Sequence, residues 1–128
     1  MALVVLDTTV LIDILRGRPA GRRVLGLREA GDQPVTTAIS VEEVARGSRQ
    51  KERAEIRRLF DGLLILSIGR AEAELAGVWR GEHASRGVTL HQADCLIAAC
   101  AVVARAQLAT GNPKDFPMLQ VRHWPVGD

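Results

Sequence analysis

The chain has 128 residues and is 47% hydrophobic, which is enough to bury one core of ordinary size and hardly two. We therefore expect a single domain over residues 1–128. The formal net charge of +2 at pH 7 is too small to mark a nucleic-acid-binding protein by composition alone.

Short apolar runs alternate with longer amphipathic stretches, a pattern typical of an α/β domain with a mainly parallel sheet of about five strands. Residues 3–6 predict a central buried strand in a cytoplasmic protein, because this run is too short for a membrane span and has no basic segment before it. The other predicted elements are a helix through residues 10–15 closed by Gly17, a helix at 19–30, a strand at 35–36, helices at 38–48 and 51–61, a strand at 63–67, helices at 70–86 and 90–105, and strands at 107–110 and 120–123.

Asp7 comes directly after the first predicted strand. In open parallel sheets, ligand sites gather beyond the carboxyl ends of the strands, so this carboxylate is placed to face a crevice. Capping of the following helix explains Asp7 equally well, and Thr8 or Thr9 would serve as a cap too.

Asp94 lies on the same face as Ile97 in the most apolar predicted helix. An unpaired carboxylate in such a segment is costly unless a nearby cation compensates its charge, which favours a role in a site. Thr89 and Gln92 have the spacing of a capping box, which predicts that Asp94 lies in the second turn, near the positive end of the helix.

Two further acidic positions flank predicted strand ends or helix starts. Glu43 follows Glu42 in a predicted helix, where Ser40 and Glu43 also match a capping box. Asp115 follows the fourth predicted strand, where an ordinary turn would also explain it. Taken together, four acidic residues with few histidines among them favour a hard cation such as Mg²⁺ or Mn²⁺.

Basic residues crowd into one short stretch, opposed only by Glu52 and Glu55. Such a cluster can follow a phosphate backbone, although a charged run on a helix is more often a solvated face. The cluster consists of Arg46, Arg49, Lys51, Arg53, Arg57 and Arg58. The candidate RNA-binding residues among them are Arg49, Lys51, Arg53 and Arg57.

Four segments, in chain order, resemble the motifs of the PIN domains and, within them, of the bacterial VapC toxins. They are Val-Leu-Asp-Thr-Thr-Val-Leu-Ile-Asp at residues 5–13, Glu-Val-Ala-Arg-Gly at 43–47, Asp-Cys-Leu-Ile-Ala-Ala at 94–99 and Leu-Ala-Thr-Gly-Asn-Pro-Lys-Asp-Phe at 108–116. The resemblance implies that the metal-binding and catalytic residues are Asp7, Glu43, Asp94 and Asp115. It selects Glu43 over Glu42, and Thr9 and Asn112 are candidates for hydrogen bonds to a metal-bound water.

The resemblance also implies a three-layer α/β/α fold and a metal-dependent endoribonuclease with one or two Mg²⁺ or Mn²⁺ ions. Water would attack the phosphate in line and leave a 5′-phosphate and a 3′-hydroxyl, without a side-chain nucleophile. The implied partners are an RNA substrate and a VapB-like antitoxin of a type II toxin–antitoxin pair. The implied assembly is a homodimer that forms a heterotetramer or a larger complex with the antitoxin.

Other classes of protein fit the sequence less well. A phosphoryl-accepting receiver domain opens with paired acids after its first strand, which Asp7 followed by two threonines does not match. A haloacid-dehalogenase-type phosphatase needs Asp-x-Asp, and Thr9 occupies the second acidic position. A non-catalytic PIN-like module that only binds RNA or protein is the more serious alternative, and the intact acidic residues argue against it.

Overall fold

A five-stranded sheet with helices on both faces forms the part of the chain that the computed structural model describes, residues 1–127. The strands are β1 (Leu3–Leu6), β2 (Gln33–Thr37), β3 (Leu64–Leu66), β4 (Gln107–Ala109) and β5 (His123–Trp124). The helices are α1 (Thr8–Leu15), α2 (Pro19–Leu25), α3 (Ala38–Arg46), α4 (Arg53–Asp61), α5 (Arg70–Ala84) and α6 (Gln92–Val103), with short 3-10 helices at Gln50–Glu52 and Pro113–Asp115.

All four strand pairings are parallel, and the order across the sheet is β3-β2-β1-β4-β5. The central strand β1 pairs Val5 with Val35 of β2 on one side and with Leu108 of β4 on the other. The chain therefore builds one half of the sheet outward from β1 and then crosses over to build the other half. A crevice opens at the carboxyl ends of the strands where the order reverses, which here is between β1 and β4.

Alternate residues of β1 enter two different cores, because successive side chains of a strand point to opposite faces. Val5 packs with Trp79 of α5 and Ile97 of α6, whereas Leu6 packs in a second cluster with Leu11 of α1. This second cluster also includes residues of α2 and α4. The predicted three-layer α/β/α fold with a mainly parallel sheet of about five strands is confirmed. None of the helices within residues 1–127 is long and apolar enough to cross a membrane.

Two element boundaries differ by three residues or more from those predicted from the sequence. The helix predicted to reach residue 30 ends at Leu25, because Gly26 takes the C-cap position and the chain continues in single turns. The last strand begins at His123 rather than at residue 120, because the Val121 N–H donates to the Met118 carbonyl and keeps the preceding residues in a turn.

Helices α1 and α2 pack so closely at Gly21 that no side chain fits between them. A Cβ placed on Gly21 would lie 2.7 Å from the backbone nitrogen of Ile14 and 2.8 Å from the carbonyl carbon of Asp13. Because both neighbours are backbone atoms, a change of rotamer cannot relieve this contact. The glycine thus sets the separation between α2 and the helix that begins directly after Asp7.

We expect Gly21→Ala to lower the free energy of unfolding by about 2 kcal/mol or more, because the added methyl group overpacks a backbone contact. Gly77→Ala is the control, since nothing lies within 4 Å of a Cβ at this position in α5. Alanine at this helical position should raise stability by about 0.5–1 kcal/mol. Urea unfolding followed by circular dichroism measures both changes, and equal stability of Gly21→Ala and the wild type would contradict the close contact.

Candidate active site

The carboxylate of Asp7 is buried at the carboxyl end of β1, with the residue only 4% exposed, and both of its oxygens accept hydrogen bonds. Oδ1 accepts from the Thr9 hydroxyl at 2.6 Å and from the Val10 N–H at 3.1 Å. Oδ2 accepts from the Thr110 hydroxyl at 2.5 Å, and Thr110 directly follows β4. Asp7 therefore caps α1 through Oδ1, which confirms the capping interpretation. Capping does not account for the hydrogen bond at Oδ2, which joins the ends of two neighbouring strands.

Burial and hydrogen bonding act on the pKa of Asp7 in opposite directions. Burial raises the pKa because it disfavours the charged form, and the hydrogen bonds from Thr110 and Thr9 lower it. Burial has the larger effect, so the pKa of Asp7 is raised above its ordinary value. A cation placed beside this carboxylate would stabilise its charged form.

Two threonines connect Asp7 to the loop that follows β4. The Thr9 hydroxyl accepts from the Gly111 N–H at 2.8 Å, and the Thr110 hydroxyl accepts from the Asn112 N–H at 3.0 Å. Thr9 thus bonds Asp7 directly, and Asn112 is linked to Asp7 by its backbone through Thr110. Thr110 had no predicted role, and the available signal was its place at the end of the predicted strand 107–110, within the segment 108–116 that resembles a PIN motif.

Glu43 is brought to the same edge of the sheet by α3. This helix begins after Thr37, whose hydroxyl accepts from the Ser40 N–H at 3.2 Å, so Ser40 is not the cap and the predicted capping box of Ser40 and Glu43 is wrong. Glu43 Oε1 instead accepts from the Thr8 hydroxyl at 2.6 Å. Thr8 follows Asp7 in the chain, and the sequence analysis assigned it no such contact.

The neighbouring glutamates of α3 point to different surroundings. Glu42 Oε1 lies 2.9 Å from Arg46 Nε, and the Glu42 side chain is 60% exposed. The Glu43 side chain is 27% exposed, and its Oε2 lies 3.9 Å from the nearest guanidinium nitrogen of Arg46. Glu43 is therefore the glutamate that faces Thr8 and the Asp7 site, and Glu42 faces solvent.

Asp94 lies in the first turn of α6, at the positive end of the helix. The N-cap is His91, and its side chain makes no capping hydrogen bond. The predicted capping box of Thr89 and Gln92, and the placement of Asp94 in the second turn, are therefore wrong. The predicted proximity of Asp94 to the helix N-terminus is confirmed. Asp94 lies in the first turn rather than the second because the helix begins later than its apolar pattern suggested.

The pKa of Asp94 is raised first by burial and then by the negative charge of Asp115, which lies in the 3-10 helix Pro113–Asp115. His91 partly offsets this shift, while Glu43 and Asp7 add to it. Asp94 is thus close enough to the other three carboxylates singled out in the sequence to feel their negative charge. Asp115 is exposed, so it approaches the group from the solvent side.

The donor atoms of this group suit a hard cation. Within residues 1–127, no three Asp, Glu, His or Cys side chains converge closely enough to form a ready-made metal cage. Mg²⁺ usually keeps several waters and takes one or two carboxylates directly, so it does not require such a cage. The carboxylate oxygens of this group, whose negative charges act on Asp94, therefore fit a hydrated Mg²⁺ or Mn²⁺.

The candidate RNA-binding residues lie on the surface next to α3. Arg49 and Lys51 lie at the 3-10 helix before α4, and Arg53 and Arg57 lie on α4; all four are exposed. None of them forms an ion pair with an acidic side chain in the described part of the chain. A cleft lined by Glu43 reaches the turn before α4 through Glu52, but none of the four candidates lines it, and Arg53 and Arg57 line a separate pocket.

The fold and site together define a doubly wound parallel α/β domain with several carboxylates gathered where its strand order reverses. Residues 4–119 match the family described as the PIN domain, and the chain belongs to that family. It is also 35% identical over 118 residues to ribonuclease VapC19 of Mycobacterium tuberculosis, a match that covers 88% of this chain and 91% of the relative.

Solved structures support the same fold. The VapBC2 structure from Rickettsia felis, bound to a DNA fragment from its promoter, matches with a TM-score of 0.83 and 21% identity over 96% of this chain and 99% of that one. At that identity the likeness shows the fold alone. A toxin–antitoxin complex from Klebsiella pneumoniae matches with a TM-score of 0.76 and 29% identity over 92% of this chain and 94% of that one.

We expect Glu43→Gln to leave the protein folded while weakening Mn²⁺ binding and RNA cleavage by roughly 100-fold or more, since it removes a charge from the site but keeps the shape that Thr8 contacts. Glu42→Gln is the matched control, because it removes only an exposed ion pair of small energetic value. Metal titration, cleavage rates and melting curves of both variants test the assignment. An inactive Glu42→Gln beside an active Glu43→Gln would reverse it.

Proposed function

We propose that this chain is a metal-dependent endoribonuclease and the toxin of a type II toxin–antitoxin pair. The observation that carries the proposal is the gathering of carboxylates at the edge of the sheet where the strand order reverses: Asp7 directly follows β1, Glu43 accepts from the neighbouring Thr8 hydroxyl at 2.6 Å, and Asp94 lies close enough to feel the charge of the others. Its relative of 35% identity is named a ribonuclease, and the match extends over most of both chains.

In this proposal, Asp7, Glu43 and Asp94 hold Mg²⁺ or Mn²⁺, and Asp115 assists from the solvent side. One or two such ions neutralise charge on the phosphate and activate a water for attack. The chain's own hydroxyl groups orient the ligands: Thr9 and Thr110 fix the two oxygens of Asp7, and Thr8 fixes Oε1 of Glu43. The products are a 5′-phosphate and a 3′-hydroxyl, and no side-chain nucleophile is needed.

The proposed macromolecular partners are an RNA substrate and a VapB-like antitoxin in the cytoplasm. The Klebsiella pneumoniae relative, which is 29% identical, is described as a toxin–antitoxin complex. This likeness supports an antitoxin for this chain too. We further propose that the chain forms a homodimer, which assembles with the antitoxin into a heterotetramer or a larger complex.

We expect RNA cleavage to stop in EDTA and to resume when Mg²⁺ or Mn²⁺ is added in excess, because negatively charged carboxylates repel a phosphate and cannot hold it without a cation. Cleavage of a labelled single-stranded RNA on a gel measures this. Asp94→Asn, purified in parallel, controls for contaminating nuclease and should be inactive under all conditions.

Undiminished cleavage in EDTA by the wild type alone would rule out the metal mechanism. The non-catalytic alternative makes the opposite prediction: RNA is bound, and neither metal produces cleavage above the rate of the Asp94→Asn control.

The basic cluster should contribute to RNA affinity through phosphate contacts. We expect joint replacement of its four candidates by glutamine to weaken binding and to flatten its salt dependence, by about 0.7 in the log–log slope for each phosphate that is no longer neutralised. Fluorescence anisotropy in EDTA measures binding without cleavage. The control replaces two exposed arginines of another surface, Arg70 and Arg86. An unchanged salt slope in the fourfold variant would make the cluster an ordinary solvated face.

A further inference from the structure

A groove of about 350 Å³ adjoins the carboxylate site, and of its lining residues the mechanism above uses only Thr9. It lies between α1, the α1–α2 turn and the loop after β4. Its lining residues are Thr9, Ile12, Asp13, Arg18, Gly111 and Asn112.

The groove begins one hydrogen bond away from Asp7. Thr9, which lines it, donates to Asp7 Oδ1 at 2.6 Å and accepts from the Gly111 N–H at 2.8 Å. These bonds fix one wall of the groove to the carboxylate. A ligand in the groove would therefore be a direct neighbour of any phosphate held at the site.

Arg18 lines the same groove and is held in place by Asp13. Its Nη1 lies 2.9 Å from Asp13 Oδ1, and its backbone N–H donates to the Asp13 carbonyl at 3.0 Å. The Asp13 side chain is only 18% exposed, whereas the Arg18 side chain is 53% exposed. A guanidinium carries five N–H donors, so most of them stay available on the exposed side for a phosphate.

Asn112 has a fixed backbone and an uncommitted side chain. Its N–H donates to the Thr110 hydroxyl at 3.0 Å, and its carbonyl accepts from the Asp115 N–H at 3.0 Å. Its side-chain amide has no hydrogen-bond partner within residues 1–127. An amide offers a donor and an acceptor side by side, which is the pattern that pairs with the edge of a nucleobase.

We propose that this groove binds the nucleotide next to the scissile phosphate, with a phosphate of that nucleotide on Arg18 and its base edge on Asn112. The inference rests on the proposed function, which supplies RNA as the ligand and Asp7 as the neighbouring reactive site. A single-stranded RNA fits the groove better than an acidic peptide, because one cation and one amide in the same groove match the phosphate and the base of one nucleotide.

Binding of single-stranded RNA in EDTA tests the Arg18 contact without cleavage. Arg18→Gln should weaken binding and reduce the log–log salt slope by about 0.7, as expected when one phosphate is no longer neutralised. Arg70→Gln is the matched control, since Arg70 is another exposed arginine, ion-paired with Glu74 at 2.6 Å. If Arg18→Gln fails to fold because Asp13 is left unpaired, the double variant Asp13→Asn/Arg18→Gln removes both charges and is measured in its place.

Cleavage of an RNA panel tests the Asn112 contact. Each of the two nucleotides flanking one scissile bond is varied in turn, in the presence of Mg²⁺ or Mn²⁺. The wild type should show a base preference at one of these positions, and Asn112→Ala should reduce that preference roughly tenfold, as expected when a base edge no longer pairs. The salt slope of Asn112→Ala should remain that of the wild type.

The two proposals fail in different ways. Absence of cleavage by the wild type with either metal would overturn the proposed function. Cleavage by the wild type together with unchanged RNA binding by the Arg18 variant and unchanged base preference in Asn112→Ala would overturn the groove assignment alone. That second outcome would favour a protein partner, rather than RNA, as the ligand of the groove.

Discussion

Asp7 is a carboxylate almost fully removed from water, and burying such a group without partners is costly. Its partners come from three places: the hydroxyl of Thr9, the first turn of α1 through the Val10 N–H, and the hydroxyl of Thr110 after β4. The pairing of β1 with β4, the start of α1 and the course of the following loop must all be correct for these bonds to form. One buried anion thus links the stability of the sheet centre to the geometry of the candidate site.

The other carboxylates reach Asp7 because of the strand order. The sheet reverses between β1 and β4, and the loops and helix starts that follow the strands converge at this reversal. Helix α3 places Glu43 within hydrogen-bond distance of Thr8. The first turn of α6 places Asp94 close enough to feel the charges of Glu43 and Asp7. Burial and the neighbouring negative charges disfavour the charged form of Asp94, and a cation at this edge of the sheet would offset both effects.

Ligand-binding features are spread over different elements around this group. The exposed cations Arg53 and Arg57 lie on α4, whereas the groove between Arg18 and Asn112 is built from the α1–α2 turn and the loop after β4. In the mechanism we propose, the carboxylates at the edge of the sheet carry out the cleavage, and the surrounding surface recognises the RNA. Such a division allows related domains to keep one reaction and differ in the RNA they cleave, because phosphate contacts position a substrate and other contacts specify it.

The sequence alone determined the five strands, the parallel α/β class and the four acidic positions, because apolar runs and the residues that follow them are local patterns. The roles of Thr8 and Thr110 were decided by the tertiary structure, since their partners lie 35 and 103 residues away. The tertiary structure also decided which turn of α6 Asp94 occupies, because the apolar pattern of the sequence continues before the helix begins. Hydrogen bonds between distant segments form only when the sheet order is set, and a local sequence pattern carries no information about that order.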